Sequence, residues 1–185
     1  MKKLSDISPG KIFEFAGERF VILLQGDGAT LVLLAQSKET MPFNNREDVE
    51  KLSDYTRSEL KEYIDKWVEK LPRTPEEAAS ILPFEVDLSN LDRGMTYGNI
   101  IVKAAPLTLW QYRQFEDIIP KIKNDWWLVT PAVSIRRPVT KNTNPDVFCI
   151  LWRVKNNGEK SIGFAYLPCG VRPALLLSSD IRVCD

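Results

Sequence analysis

The sequence predicts a single α+β domain with a mixed or antiparallel twisted sheet and two main helices. Three observations predict it. β-branched and leucine-rich runs flank turn residues near the N-terminus, apolar residues recur at helical spacing in the middle, and short strands return in the last third. The 185 residues are 44% hydrophobic and 10% aromatic, enough to bury the core of one domain. The expected organisation is one domain over 1–185, with a β-meander over 10–36, a helical middle over 55–120 and a C-terminal β region over 125–178.

Lys11–Phe15 opens the meander, and Ala16-Gly17-Glu18 turns the chain. Arg19–Gln25 and Ala29–Ala35 surround Gly26-Asp27-Gly28, a hairpin signal, and both runs are so continuously apolar that both faces are expected to be covered. Met41–Asp54 is polar and reads as a loop. Thr56 and Glu59 have capping-box spacing, and Leu60, Ile64, Trp67, Val68 and Leu71 make one face of a helix ended by Pro72. Thr74-Pro75-Glu76-Glu77 starts a second, short helix. Leu82–Tyr97 reads as irregular and Ile100–Ala104 as a short strand. Thr108 and Gln111 form another capping box, opening a helix through Ile119. The strands expected after it are Trp126–Thr130, Val147–Val154, Ser161–Tyr166 and Val171–Leu177. Ala132–Pro145 is a long polar loop and Asn156-Asn157-Gly158 a hairpin turn.

Lys and Arg number 25 and so do Asp and Glu, so the chain as a whole is not a polycation for nucleic acid. Histidine is absent, which removes Ser-His-Asp and Cys-His catalysis and histidine-ligated metal sites. Cys149, Cys169 and Cys184 stand far apart, with no C-x-x-C, so neither a disulfide scaffold nor a zinc site is expected. Cys149, among Phe148, Ile150 and Leu151, reads as a buried strand residue. Asp6, Pro9, Gly10 and Lys11 interrupt any signal-peptide core, and the longest apolar run, near Leu31–Ala35, is far shorter than a membrane span. The expectation is a protein of a reducing cytoplasm without membrane insertion, with an extracellular working place as the alternative.

Three stretches act together as motifs: Ser58–Asp65 just after Tyr55, Trp126-Trp127-Leu128-Val129-Thr130-Pro131, and Gly170-Val171-Arg172-Pro173-Ala174-Leu175. In order and spacing they resemble a domain-of-unknown-function family of Gram-positive bacteria and their prophages, whose members carry Y-x-x-S-x-L-R-x-x-L-N, W-W-L-R-T-P and G-V-R-P-A-L. Lys61 and Asp65 replace the family's Arg and Asn, and Val129 stands where its second motif has Arg. The last two motifs also resemble the closing strands of C-type-lectin-like folds, as in formylglycine-generating-type domains and phage receptor-binding proteins. That resemblance implies a lectin-like scaffold whose two helices, at Thr56–Leu71 and Thr108–Ile119, support long loops.

Trp126 and Trp127, adjacent on a strand, point to opposite faces: one fills the core while the other packs under a helix or faces a loop. Arg172, on a presumed central strand, needs a carboxylate or carbonyl cage if buried. With Pro173 and the two tryptophans it is expected to be structural, holding loop backbone. Trp110 and Trp152 are also expected in the core. Residues 39–90 carry 13 acidic and 7 basic side chains, whereas 121–160 carry 3 acidic and 8 basic. Arg136, Arg137 and Lys141, with Asn142 and Asn144 on the same loop, are therefore the expected binding residues for an anionic partner surface.

Other fragments are set aside on chemistry. Asn144-Pro145-Asp146 and Asn124-Asp125 resemble lectin calcium motifs in reversed order, with too few oxygens for calcium. Cys149 and Cys169 lack the close spacing of a formylglycine-generating pair. Glu76 and Glu77 suit a helix N-terminus, and no helix follows Gly26-Asp27-Gly28 to make a phosphate loop. The expected function is a non-enzymatic phage- or prophage-type binding protein without cofactor or metal. Its partner would be a host protein or protein–nucleic-acid complex, for example a defence nuclease such as a CRISPR effector that it inhibits. The alternative is a lectin-like adhesin or virion module binding a cell-surface glycan or protein.

Overall fold

A computed structural model describes residues 1–45, 51–91, 96–132 and 149–184. In chain order the elements are β1 (Lys2–Lys3), β2 (Ile12–Phe15), β3 (Glu18–Gln25), β4 (Ala29–Leu34), β5 (Thr40–Pro42), α1 (Glu59–Lys70), α2 (Pro75–Ser80), β6 (Ile81–Leu82), β7 (Phe84–Ser89), β8 (Thr96–Val102) and β9 (Ala104–Ala105). They continue with α3 (Leu109–Phe115), β10 (Trp126–Pro131), β11 (Ile150–Val154), β12 (Lys160–Phe164), β13 (Pro168–Gly170), β14 (Ala174–Ser178) and β15 (Arg182–Val183). This is the expected α+β domain. Among the described residues its sheets are mixed only through the parallel pair β10 and β13; the other ladders run antiparallel.

The meander β2–β3–β4 continues through β14 to β6, with β9 also paired to β14. Alternate side chains on these strands enter two apolar clusters, one on each face. Phe20, Ile22, Val32, Leu34, Leu175 and Leu177 join α1, whose Leu60, Ile64 and Val68 recur every four residues. Val21, Leu23, Leu31, Leu33 and Ala174 face α3 instead. Covering on both faces is what the unbroken apolar runs require. The register slips between Ile22 and Leu24, a bulge that leaves Leu24 half exposed.

The second sheet has the order β12–β11–β10–β13–β5. Its β10 is buried along its whole length. Trp127 and Val129 enter the α1 cluster, while Trp126 and Leu128 enter the α3 cluster. Trp127 donates its indole N–H to the Met41 carbonyl at 3.1 Å and meets Phe43 edge-on at 5.8 Å. Trp126 lies under α3, edge-on to Tyr112 at 5.6 Å.

Several expected boundaries are corrected. The first helix is capped by Ser58, whose Oγ accepts the Lys61 N–H at 3.0 Å and donates to the Tyr55 carbonyl at 2.9 Å. Thr56 belongs to a preceding 3-10 turn held by Asp54, so its spacing to Glu59 is not a cap. The boxes at Thr74 and Thr108 form reciprocally as expected. The third helix ends at Phe115 rather than Ile119, although Ile119 is still buried. Part of the expected irregular stretch Leu82–Tyr97 is a hairpin, β7 with β8, because Val86 and Leu88 alternate inward between polar residues. Met41 and Pro42, in the expected polar loop, belong to β5, which pairs with β13. The last long strand starts at Ala174, so Arg172 sits in the crossover between β13 and β14, not on a central strand. Among the described residues no helix is long and apolar enough to cross a membrane.

Ser58→Ala removes a buried cap and should cost roughly 1–2 kcal/mol, whereas Thr56→Ala on the exposed turn should stay within about 0.5 kcal/mol. Urea denaturation of the two variants separates the assignments.

Candidate functional site

The loop expected to bind, with Arg136, Arg137, Lys141, Asn142 and Asn144, lies outside the described residues, as does Asp146 of the lectin-like fragment. Ala132 precedes that stretch and takes the last bond of β10, its N–H donating to the Ile150 carbonyl at 3.0 Å. The described residues place the four structural candidates together. Trp126, Trp127, Arg172 and Pro173 are all buried.

Arg172 is 1% exposed. Its Nε donates to the Leu34 carbonyl at 2.7 Å and one Nη to the Ala35 carbonyl at 3.1 Å, tying the β13–β14 crossover to the end of β4. The guanidinium carbon lies 4.9 Å from the Trp126 ring centre, a cation–π contact. The Leu34 N–H donates to the Pro173 carbonyl at 3.0 Å, closing the junction from the other side. The other Nη, Nη1, is buried without a hydrogen-bond partner among the described residues. Burial lowers the Arg172 pKa to about 10.

Two surfaces stand out from this frame. The first is strand β12, whose outer edge is unpaired among the described residues. Ile162 and Phe164 lie on one face of it, opposite Trp152 and Ile150 of β11. Tyr166 stacks on Phe164 at 5.3 Å, and Leu167 follows. Ile162, Tyr166 and Leu167 are 50%, 39% and 43% exposed, so the stripe is apolar and open. Lys160 and Lys155 border it, ion-paired to Glu116 and Glu159.

The second is a cleft of about 230 Å³ beside the start of α3. Trp110 corrects the core expectation: it is 60% exposed. It occupies the second helical position, about 100° around from the buried Leu109–Tyr112–Phe115 face. Arg113 stacks over it at 5.4 Å. Glu85, Asp87, Asn90 and Gln111 supply amide and carboxylate groups around the indole. The Glu85 carboxylate accepts from Asn99 at 2.7 Å, and Asp87 accepts the Ser89 N–H at 2.8 Å. The Leu109 N–H donates to Thr130 Oγ1 at 2.9 Å, which fixes the helix start against β10. An indole face with acceptors around it suits a ligand that has both an apolar face and hydroxyl donors. Trp152, the other tryptophan expected in the core, is only partly buried and packs against the α3 cluster.

None of the three cysteines is in a disulfide; Cys149 and Cys169 are buried and Cys184 is exposed. Burial raises the Cys169 thiol pKa despite the Arg153 contact at 3.7 Å, which makes it a poor nucleophile. No cluster among the described residues could hold a metal ion. Scanned against protein families, curated proteins and solved structures, the chain matches none.

Alkaline pH tests the packing under the β7–β8 hairpin. Burial raises the Tyr97 pKa from 10.0 to about 12, while its hydroxyl pairs with Ser53 at 2.9 Å. The fold therefore retains a proton that the unfolded chain releases, and stability falls as pH rises from 10.0 to about 12. Arg172 acts oppositely there, because its lowered pKa makes the unfolded chain the better proton binder. Comparing Tyr97→Phe with the parent cancels that contribution. The variant should lose less stability over this window, read by denaturant midpoints at each pH.

Proposed function

We propose that this chain is a non-enzymatic binding module, of the phage or prophage type that its motifs resemble, and that it docks a host protein, alone or within a nucleoprotein, on the edge of β12. The observation that carries this reading is the open stripe Ile162–Phe164–Tyr166 on a strand whose outer backbone edge is unpaired among the described residues. An exposed apolar edge is a template for strand addition. The preferred partner presents an extended strand on an acidic surface, because residues 121–160 hold 8 basic and only 3 acidic side chains. Inhibition of a defence nuclease is one role such docking serves. Working in the host cytoplasm is part of the same proposal.

Ile162→Asp places a like charge against an acidic partner and breaks the stripe. It should weaken capture at least tenfold, as measured by a tagged pull-down quantified by mass spectrometry, with the melting temperature little changed because Ile162 is half exposed. A captured protein that survives this change while being lost in Trp110→Ala would move the binding face to α3. Replacing both Arg136 and Arg137 with Ala should weaken the same capture without altering the melting temperature, and unchanged affinity would remove that loop from the interface.

The Trp110 cleft favours a second reading, a lectin-like module for a surface glycan. A sugar ring stacks its apolar face on indole while its hydroxyls donate to Glu85 and Asp87. On a glycan array this reading expects salt-insensitive binding by the parent and none by Trp110→Ala.

A further inference from the structure

The hydrogen bonds around β11 fix which way the backbone of β12 points. The Ala165 N–H donates to the Cys149 carbonyl at 2.6 Å, and the Lys155 N–H donates to the Glu159 carbonyl at 2.8 Å. Both bonds join residues that stand directly opposite in the register pairing Ile150 with Phe164 and Val154 with Lys160. In an antiparallel ladder such bonded pairs recur at every second residue. Ser161 and Gly163 therefore turn their N–H and C=O groups inward to β11, and Lys160, Ile162 and Phe164 turn theirs outward. The other side of β11 agrees: the Ile150 carbonyl accepts the Ala132 N–H on the β10 side.

Of the outward groups, the Phe164 carbonyl accepts the Leu167 N–H at 3.0 Å, and the Ile162 carbonyl meets the Ser161 hydroxyl at 3.4 Å. The Lys160 backbone and the N–H groups of Ile162 and Phe164 meet no partner on this side among the described residues. A two-fold axis at Ile162 matches these groups to one another. Ile162 exchanges both its bonds with Ile162 of the other copy, and each Phe164 N–H donates to the Lys160 carbonyl across the axis. The Lys160 N–H then falls opposite the Phe164 carbonyl, which has a second lone pair to offer.

The side chains suit the same register. Ser161 stands opposite Gly163 in a non-hydrogen-bonded pair, where backbones come closest, and neither residue is bulky. On the stripe face Ile162 meets Ile162 and Lys160 lies opposite Phe164. Lys160 is already ion-paired with Glu116, so the contact brings no unpaired like charges together.

We infer that β12 pairs antiparallel with β12 of a second copy of this chain about a two-fold axis at Ile162, joining the two five-stranded sheets into one. A closed pair of this kind uses up the edge that would otherwise template open-ended aggregation. It occupies the edge of the docking reading without depending on it. A host partner competes with the second copy, so the same strand protects the free chain and marks where the partner enters.

Sedimentation velocity of the full chain, over concentrations reaching the millimolar range, tests the pairing. A reversible rise from 21.2 kDa toward twice that mass is expected. Ile162→Pro removes an outward N–H but no bond to β11, and edge strands accept proline there. It should stay monomeric with an unchanged circular dichroism spectrum. Ile162→Asp and Ile162→Lys should each be monomeric, because like charges then face each other across the axis, and an equimolar mixture of the two should dimerise. That rescue decides the matter even if the proline variant does not fold. A parent that is monomeric throughout, a dimer that survives Ile162→Asp, or a mixture no more associated than either variant alone would overturn the pairing. A monomeric parent that still captures a host protein overturns self-pairing alone and leaves the docking reading in place.

Discussion

A buried guanidinium holds the two sheets of this domain in register. The chain must pass from β13, in the sheet built around β10, to β14, in the sheet built on the meander, within Val171–Pro173. Such a short crossover leaves the carbonyls at the end of β4 needing donors in a place without water. Arg172 supplies two of them and lays its face on Trp126, the residue that also meets Tyr112 of α3. The end of the meander, the central strand of the second sheet and the third helix thus converge on one side chain. Hydrogen bonds from a charged donor are stronger than neutral ones, and in a dry site the geometry they impose is narrow.

The two surfaces argued for binding are outgrowths of this frame. The β12 edge is carried by the β11 ladder, which pairs with the rigid β10, and the Trp110 cleft is fixed by the bond from Leu109 to Thr130 of the same strand. Their polar characters differ. The β12 stripe is apolar with lysines at its border, whereas the cleft beside α3 is rich in acceptors around one indole. A protein surface and a sugar ring ask for these two compositions respectively, so one scaffold presents two chemically distinct faces.

The sheets of apolar meander strands, the proline-marked second helix and the Thr108 cap were legible because each is a local pattern. Trp110 was not: it falls outside the Leu109–Tyr112–Phe115 face, but its bulk argued for burial, and it is exposed. The β7–β8 hairpin is masked in the sequence: Phe84-Glu85-Val86-Asp87-Leu88-Ser89 alternates cleanly, but turn residues crowd the stretch downstream. Ser58 lost to Thr56 because two capping geometries overlap and only tertiary contact, the Leu60 N–H donating to the Phe43 carbonyl, settles which residue starts the helix. The small pocket that Arg172 helps to line had no sequence signal. It is assembled from residues in α3, in the turn after it, in the β11–β12 turn and in the crossover, which are far apart in the chain.

The burial of β10 on both faces has a consequence for how the molecule comes apart. The two apolar clusters share the backbone of β10, as they share β3, β4 and β14, with Trp126 anchored in one and Trp127 in the other. Loosening either cluster frees the strand and so exposes the far side of the remaining one. Hydrogen exchange at β10 should then report only global opening, because neither cluster of the described residues closes without the strands it shares with the other.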